Sequence, residues 1–140
     1  MTLVLKGRSI VKGCVQGLAL VTSQPMGFNF GVDGETGLVI EHGHELEGQS
    51  LKGRVLIFPN GKGSTGGSFV IYQLVKTGNA PVAMVNVSCE SIIALGAIMA
   101  DIPMVDSLDA NPVLAVKTGD LVRVNGDDGS LEILERAAGS

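Results

Sequence analysis

The stretch FPNGKGSTGGSFVIYQLVKTG, residues 58–78, decides the fold. An apolar β-like run from Arg54 ends at Phe58-Pro59, a glycine-rich polar loop follows, and a second apolar segment starts at once. That segment, Ser68 to Lys76, stops before Gly78 with a lysine in its last turn, which is how a helix ends. Strand, tight loop and helix make the first half of a parallel β-α-β unit. Glycine in the loop permits positive φ and close approach of a ligand. A helix that begins near Gly66 points its unpaired N–H groups back into the loop, where they favour an anion. Lys62, Ser64, Thr65 and Ser68, set among four glycines, are therefore candidates for chemistry on a negatively charged substrate.

Working outward, the pattern repeats. Pro81 to Val87 reads as a strand, Glu90 to Ala100 as a second apolar helix, and Met104-Val105 as a short strand after Pro103. This order predicts a parallel sheet with right-handed crossovers, and helices apolar on nearly all sides are expected to be buried in a layered core. Upstream, Leu3–Lys6, Cys14–Thr22 and Gly37–Ile40 are predicted as short strands separated by glycine turns. Downstream, Leu121–Val124, a turn at Gly126–Gly129 and Leu131–Leu134 predict a hairpin, and residues 135–140 are expected to fray. With 140 residues, 45% of them hydrophobic and 17% charged, the chain is expected to form one domain, 1–140.

Charge and motifs narrow the chemistry. A net charge of -4 and only 4% aromatic residues exclude a nucleic-acid surface, which needs clustered cations or stacking rings. No apolar run approaches the ~20 residues of a membrane span. The first residues lack the apolar core of a secretory signal, so the expected compartment is the cytoplasm. Cys14 and Cys89 stand far apart and are expected to be buried thiols, neither a disulfide framework nor a metal site. His42 and His44 have a spacing that places two imidazoles on one strand face, but with no third ligand the pair reads as a solvated turn. Asp101, Asp106 and Asp109 read as caps and loop residues, and Asp127-Asp128-Gly129 as turn chemistry. Gly61-Lys62-Gly63-Ser64 departs from the phosphate-loop pattern, since Gly63 separates the lysine from the hydroxyl and Leu56 replaces an earlier glycine. A phosphohistidine relay is excluded because no histidine occurs after His44. Helix capping accounts for one or two of the loop's polar residues, whereas a functional loop accounts for all four.

Several segments together carry a family resemblance: Gly31-Val32-Asp33 with Thr36-Gly37, His44-x-Leu46-x-Gly48, GRVLIFPNGKGSTGGSFVIYQL (53–74), APVAMVN (80–86) and GAIMADIPMVDSLD (96–109). They resemble the swivel domain, or small subunit, of the aconitase X family across residues 3–134. The resemblance implies an α/β swivelling β/β/α domain and a hydro-lyase reaction, the family's substrates being mevalonate 5-phosphate and cis-3-hydroxy-L-proline. It further implies a heterodimer in which the large subunit holds an iron–sulfur cluster and the small subunit, with no metal of its own, contributes a serine that matches Ser64. Gly61, Lys62, Gly63, Thr65, Gly66 and Ser68 would then surround the hydroxy acid. A serine hydroxyl is a feeble base unless its alkoxide is stabilised, and glycine-loop amides, the helix N-terminus and Lys62 are the groups able to do so. Thr65 and Ser68 are placed either to bind a substrate oxygen or to cap the helix. A lone lysine with no arginine beside it favours hydroxyproline over a phosphate ester. The competing class is a non-catalytic anion-binding or regulatory module on the same fold.

Overall fold

The computed structural model describes residues 3–63 and 66–138. Runs of aliphatic and β-branched residues form β1 (Leu3–Lys6), β2 (Arg8–Val11), β3 (Cys14–Val21), β4 (Val55–Phe58), β5 (Ala83–Asn86), β6 (Met104–Asp106), β7 (Leu121–Asn125) and β8 (Ser130–Glu135). Three helices interrupt them: α1 (Gly66–Thr77), α2 (Ser91–Ala100) and the single turn α3 (Pro112–Ala115). The strands form one sheet in the order β1-β8-β7-β3-β4-β5-β6-β2 among the described residues. β3, β4, β5 and β6 run parallel, joined through α1 and α2 as the β-loop-α-β-α-β pattern predicts. β7 and β8 are the predicted hairpin.

The sheet order starts at β1 and ends at β2, and only Gly7 separates those two strands in sequence. The two ends of the sheet therefore meet through the covalent chain, and the sheet closes on itself. Gly7 has no room for a side chain: a Cβ there would lie 2.4 Å from the Asp106 carbonyl oxygen. A second seam crosses the same place, where Arg8 Nε and Nη2 donate to Asp106 Oδ1 and Oδ2 at 2.9 and 2.8 Å.

Alternation along the strands divides the core. Val55 and Ile57 of β4, Ala83 and Val85 of β5 and Val105 of β6 face inward against Leu5, Val122, Val124, Leu131 and Ile133. Their neighbours Leu56, Phe58, Met84 and Met104 point to the other face, where Ile71 and Leu74 of α1 and Ile93 and Ala97 of α2 cover them. The long segment 22–54 adds Met26, Phe28, Val32, Val39, Leu46 and Leu51 to this helix-side core.

Four expectations need correction. Gly37–Ile40 is not a strand but takes part in isolated bridges, Val32 with Val39 and Leu38 with Ser50, because the segment folds over the helix layer rather than joining the sheet. β2 was not foreseen in the sequence, where its charged start at Arg8 hid it. α1 and α2 are not buried all round: Phe69 is 65% exposed and Ile98 58%. The tail does not fray at its start, because Ala137 N and Arg136 Nη1 both donate to the buried carboxylate of Asp120, at 2.7 and 2.9 Å.

Candidate functional site

The glycine loop leaves the carboxyl end of β4 and leads into α1. Its backbone is tied on both sides before it reaches α1. Met26 N donates to Asn60 O at 3.1 Å and Lys62 N donates to Met26 O at 3.0 Å. Val87 N and Ser88 N, beyond β5, both donate to Pro59 O. Asn86, wholly buried at the end of β5, donates through Nδ2 to Phe58 O at 3.0 Å. Its Oδ1 is a buried acceptor without a donor among the described residues.

The glycines have separate physical reasons. A Cβ on Gly61 would come within 2.4 Å of Ile93 Cγ1 and 2.8 Å of Glu90 Oε1, so the loop lies flat against the start of α2. A Cβ on Gly66 would lie 2.7 Å from the Asn29 side chain. Gly63 instead faces open space but has φ of 98°, a left-handed backbone that glycine adopts without strain.

Two helix N-termini converge on this loop, and they differ. Glu90 caps α2, its Oε2 and Oε1 accepting from Ile92 N and Ile93 N at 3.1 and 2.8 Å, so an internal carboxylate already occupies that positive end. α1 has no acidic residue in its first turn. Among the predicted site residues, Gly61, Lys62, Gly63 and Gly66 are brought together here. Ser64 and Thr65 lie outside the described residues. Ser68 is 2% exposed and packs where Gly96 of α2 approaches it, which favours a role in helix packing or capping over one on the open face of the loop. Lys62 Nζ forms an ion pair with Glu41 Oε2 at 2.8 Å.

Asn29, Glu41 and Asn86 are the neighbours that the sequence did not single out. Asn86 had a signal, a polar residue that ends an apolar strand at its carboxyl edge. Glu41 had none, since it lies 21 positions from the lysine it meets.

The other candidates separate. His44 is buried, with Leu46 N donating to its Nδ1 and Nε2 left to donate to Pro25 O at 3.2 Å. The His42 side chain is fully exposed and lies 3.6 Å from Glu47, so the two histidines share no ligand position. Cys14 is exposed, contrary to the expectation of a buried thiol. Cys89 is partly buried, and burial, reinforced by Asp106 and Glu90, pushes its thiol up to about 12. No group of three His, Cys, Asp or Glu side chains among the described residues is arranged to hold a metal. Asp106 is more than a loop residue: burial alone would raise its pKa, but the Arg8 guanidinium and the Cys89 amide outweigh that and hold the carboxyl below its ordinary range. An open depression of about 340 Å³ lined by Leu3, Leu114, Ala115, Lys117 and Arg136 shares no residue with the glycine loop. No helix among the described residues is long and apolar enough to cross a membrane.

Comparison with known proteins agrees with this arrangement. Residues 4–133 match the family described as the aconitase X swivel domain. The phosphomevalonate dehydratase small subunit of Methanocella arvoryzae is 54% identical over 129 residues, which cover 92% of this chain and 98% of that one. The protein of the same name from Methanosarcina acetivorans is 50% identical over 131 residues, 94% of this chain and 91% of its own. A crystal structure of the holo-form of Thermococcus kodakaraensis aconitase X superposes with a TM-score of 0.91 at 50% identity, covering 95% of this chain and 99% of that chain. A closed sheet with a glycine loop at the mouth of α1, matched in sequence and in shape over nearly the whole chain, places this protein in the aconitase X swivel-domain family.

Proposed function

We propose that this chain is the small subunit of a phosphomevalonate dehydratase, and that its 58–68 loop supplies the base and the anion-binding groups for removing water from mevalonate 5-phosphate. The observation that carries the reading is the glycine loop, with Gly61 packed against the start of α2 and Gly66 against Asn29, followed by a helix α1 that has no carboxylate in its first turn. The relatives named above favour the phosphate ester over cis-3-hydroxy-L-proline, the substrate that a lone lysine suggests. Ser64, as an alkoxide stabilised by the α1 amides and Lys62, takes the proton from the carbon next to the carboxylate and becomes a neutral hydroxyl, while the C–O bond of the neighbouring carbon breaks and its hydroxide would leave to a Lewis acid on the large subunit. The same amides and Lys62 hold an anionic group of the substrate.

The rest of the site belongs to a large subunit. The cysteines here do not fit a cluster: Cys14 is exposed, Cys89 is held protonated by burial, and among the described residues no third ligand stands beside either. The iron–sulfur cluster is therefore assigned to the partner. The outer faces of α1 and α2, with Phe69, Leu95 and Ile98 more than half exposed and no charged residue anywhere in α2, supply the apolar surface that subunit contacts bury.

The test is anaerobic turnover by the reconstituted two-subunit enzyme with mevalonate 5-phosphate and, separately, cis-3-hydroxy-L-proline. Ser64→Ala is expected to lower kcat by about 10²–10⁴, the range for lost acid–base catalysis, while the subunits still co-elute. Wild-type turnover by the Ser64→Ala enzyme would remove the serine from the chemistry. Turnover of hydroxyproline alone would reverse the choice of substrate.

A further inference from the structure

The cation of the glycine loop already has an anion. Lys62 Nζ sits 2.8 Å from Glu41 Oε2, with the two side chains 49% and 30% exposed. Glu41 reaches it through a local fold: Ile40 N and Glu41 N both donate to Gly31 O, at 2.9 and 3.2 Å. Gly31 itself is packed against the Gly27 carbonyl oxygen, 1.9 Å from where a Cβ would stand, and Glu41 Oε1 lies 3.3 Å from the same point, so the turn that carries Glu41 leaves no room for a side chain at Gly31. The second carboxylate at the loop, Glu90, is committed to the amides of Ile92 and Ile93. Glu41 is thus the acid that an incoming anion must displace to reach Lys62. Its hold is weak enough for that, because an ion pair open to solvent contributes little. A phosphate dianion, with more negative charge and three acceptor oxygens, is the stronger partner for an ammonium.

We propose that Glu41 is a placeholder for the anionic group of the substrate, holding the Lys62 ammonium in position over the loop until a phosphate or carboxylate takes it over. Glu41 then sets substrate affinity without touching the reacting atoms. This rests on the reading of the 58–68 loop as the substrate site. Two independent roles follow for one residue: it preorganises a flexible lysine, and it competes with the ligand that the lysine serves. Competition dominates, because the loop backbone around Lys62 is already fixed by Met26 and needs no carboxylate to stay in place.

The experiment combines kinetics of the reconstituted enzyme with a binding readout that needs no turnover. Glu41→Gln keeps the size of the side chain and removes its charge, and it is expected to lower KM for mevalonate 5-phosphate by about two- to fivefold, the range set by an exposed ion pair, with the change carried by KM rather than kcat. Lys62→Met is expected to raise KM about tenfold or more, as loss of a charge-assisted hydrogen bond predicts. In the Lys62→Met background, Glu41→Gln should change nothing further. In parallel, the isotope-labelled chain is titrated with inorganic phosphate while the amide resonances of Gly61, Gly63 and Gly66 are followed, and Glu41→Gln should reach half-saturation at a lower phosphate concentration. If Lys62→Met raises KM but Glu41→Gln leaves KM and the phosphate titration unchanged, the placeholder is wrong and the substrate loop stands. If Lys62→Met leaves KM unchanged, both fail.

Discussion

Gly61 shows what a sequence tells about a single residue and what it withholds. The glycine-rich composition at 61–67 was readable as a loop that must come close to something, because glycine is costly unless the absent side chain serves a purpose. That Gly61 approaches Ile93 and Glu90, whereas Gly63 approaches nothing and is needed for its positive φ, was not readable, since both reasons produce the same letter. The difference is testable. Gly61→Ala forces a methyl group into Ile93 and the α2 cap and is expected to destabilise the fold by about 1–3 kcal/mol, the usual cost of overpacking, seen as a lower urea midpoint with an unchanged m-value. Asn86 and Glu41 escaped notice for a related reason: their partners, Phe58 O and Lys62, are neighbours only after the chain has folded.

At the scale of elements, β4, α1, β5, α2 and β6 were legible because each is a short apolar run ended by glycine, proline or a polar cap. The Glu90 cap is the clearest local device. It satisfies two amides at the start of α2 and fills the positive end of that helix. Glu90→Ala is expected to cost about 0.5–2 kcal/mol, as for other lost N-caps, with faster amide hydrogen exchange at Ile92 and Ile93 while the exchange in β4 and β5 scales only with global stability. Apolar periodicity failed in two places. It assigned Gly37–Ile40 to a strand although, among the described residues, nothing pairs with it beyond single bridges, and it buried helices whose outer faces are exposed, because an apolar residue at the surface reads in sequence like one in the core.

For the molecule as a whole, closure of the sheet depends on groups far apart in the chain, and this part was the least legible. β1 pairs with β8 and β2 with β6, Asp106 holds Arg8 and the Cys89 amide, and Asp120 holds Arg136, Lys117 N and Ala137 N. Burial opposes ionisation of both aspartates, yet their donors win and both pKa values are lowered, as is that of Glu45, chiefly through the Thr22 hydroxyl. A carboxyl group whose pKa is lower when folded stabilises the fold above its ordinary value and loses that contribution as pH falls through the folded value. Stability should therefore hold near neutrality and decline below about pH 4, where ordinary carboxyl groups take up protons. Asp120→Asn should lower the urea midpoint at pH 7 and make its fall on acidification shallower; an equally steep fall would mean that Asp120 is not one of the groups responsible. The Gly7 crossing has a further consequence, in time rather than in energy. Because Leu3 pairs with Ile133 and Lys6 with Ser130, β1 waits during synthesis for β8 before it has a neighbour on that side. Contacts this distant slow folding, so the domain is expected to fold more slowly than a helical bundle of its size. Until β8 emerges, β1 is an open edge able to pair with other chains, and a ribosome that stops short of residue 130 leaves a product whose hazard is aggregation as much as lost activity.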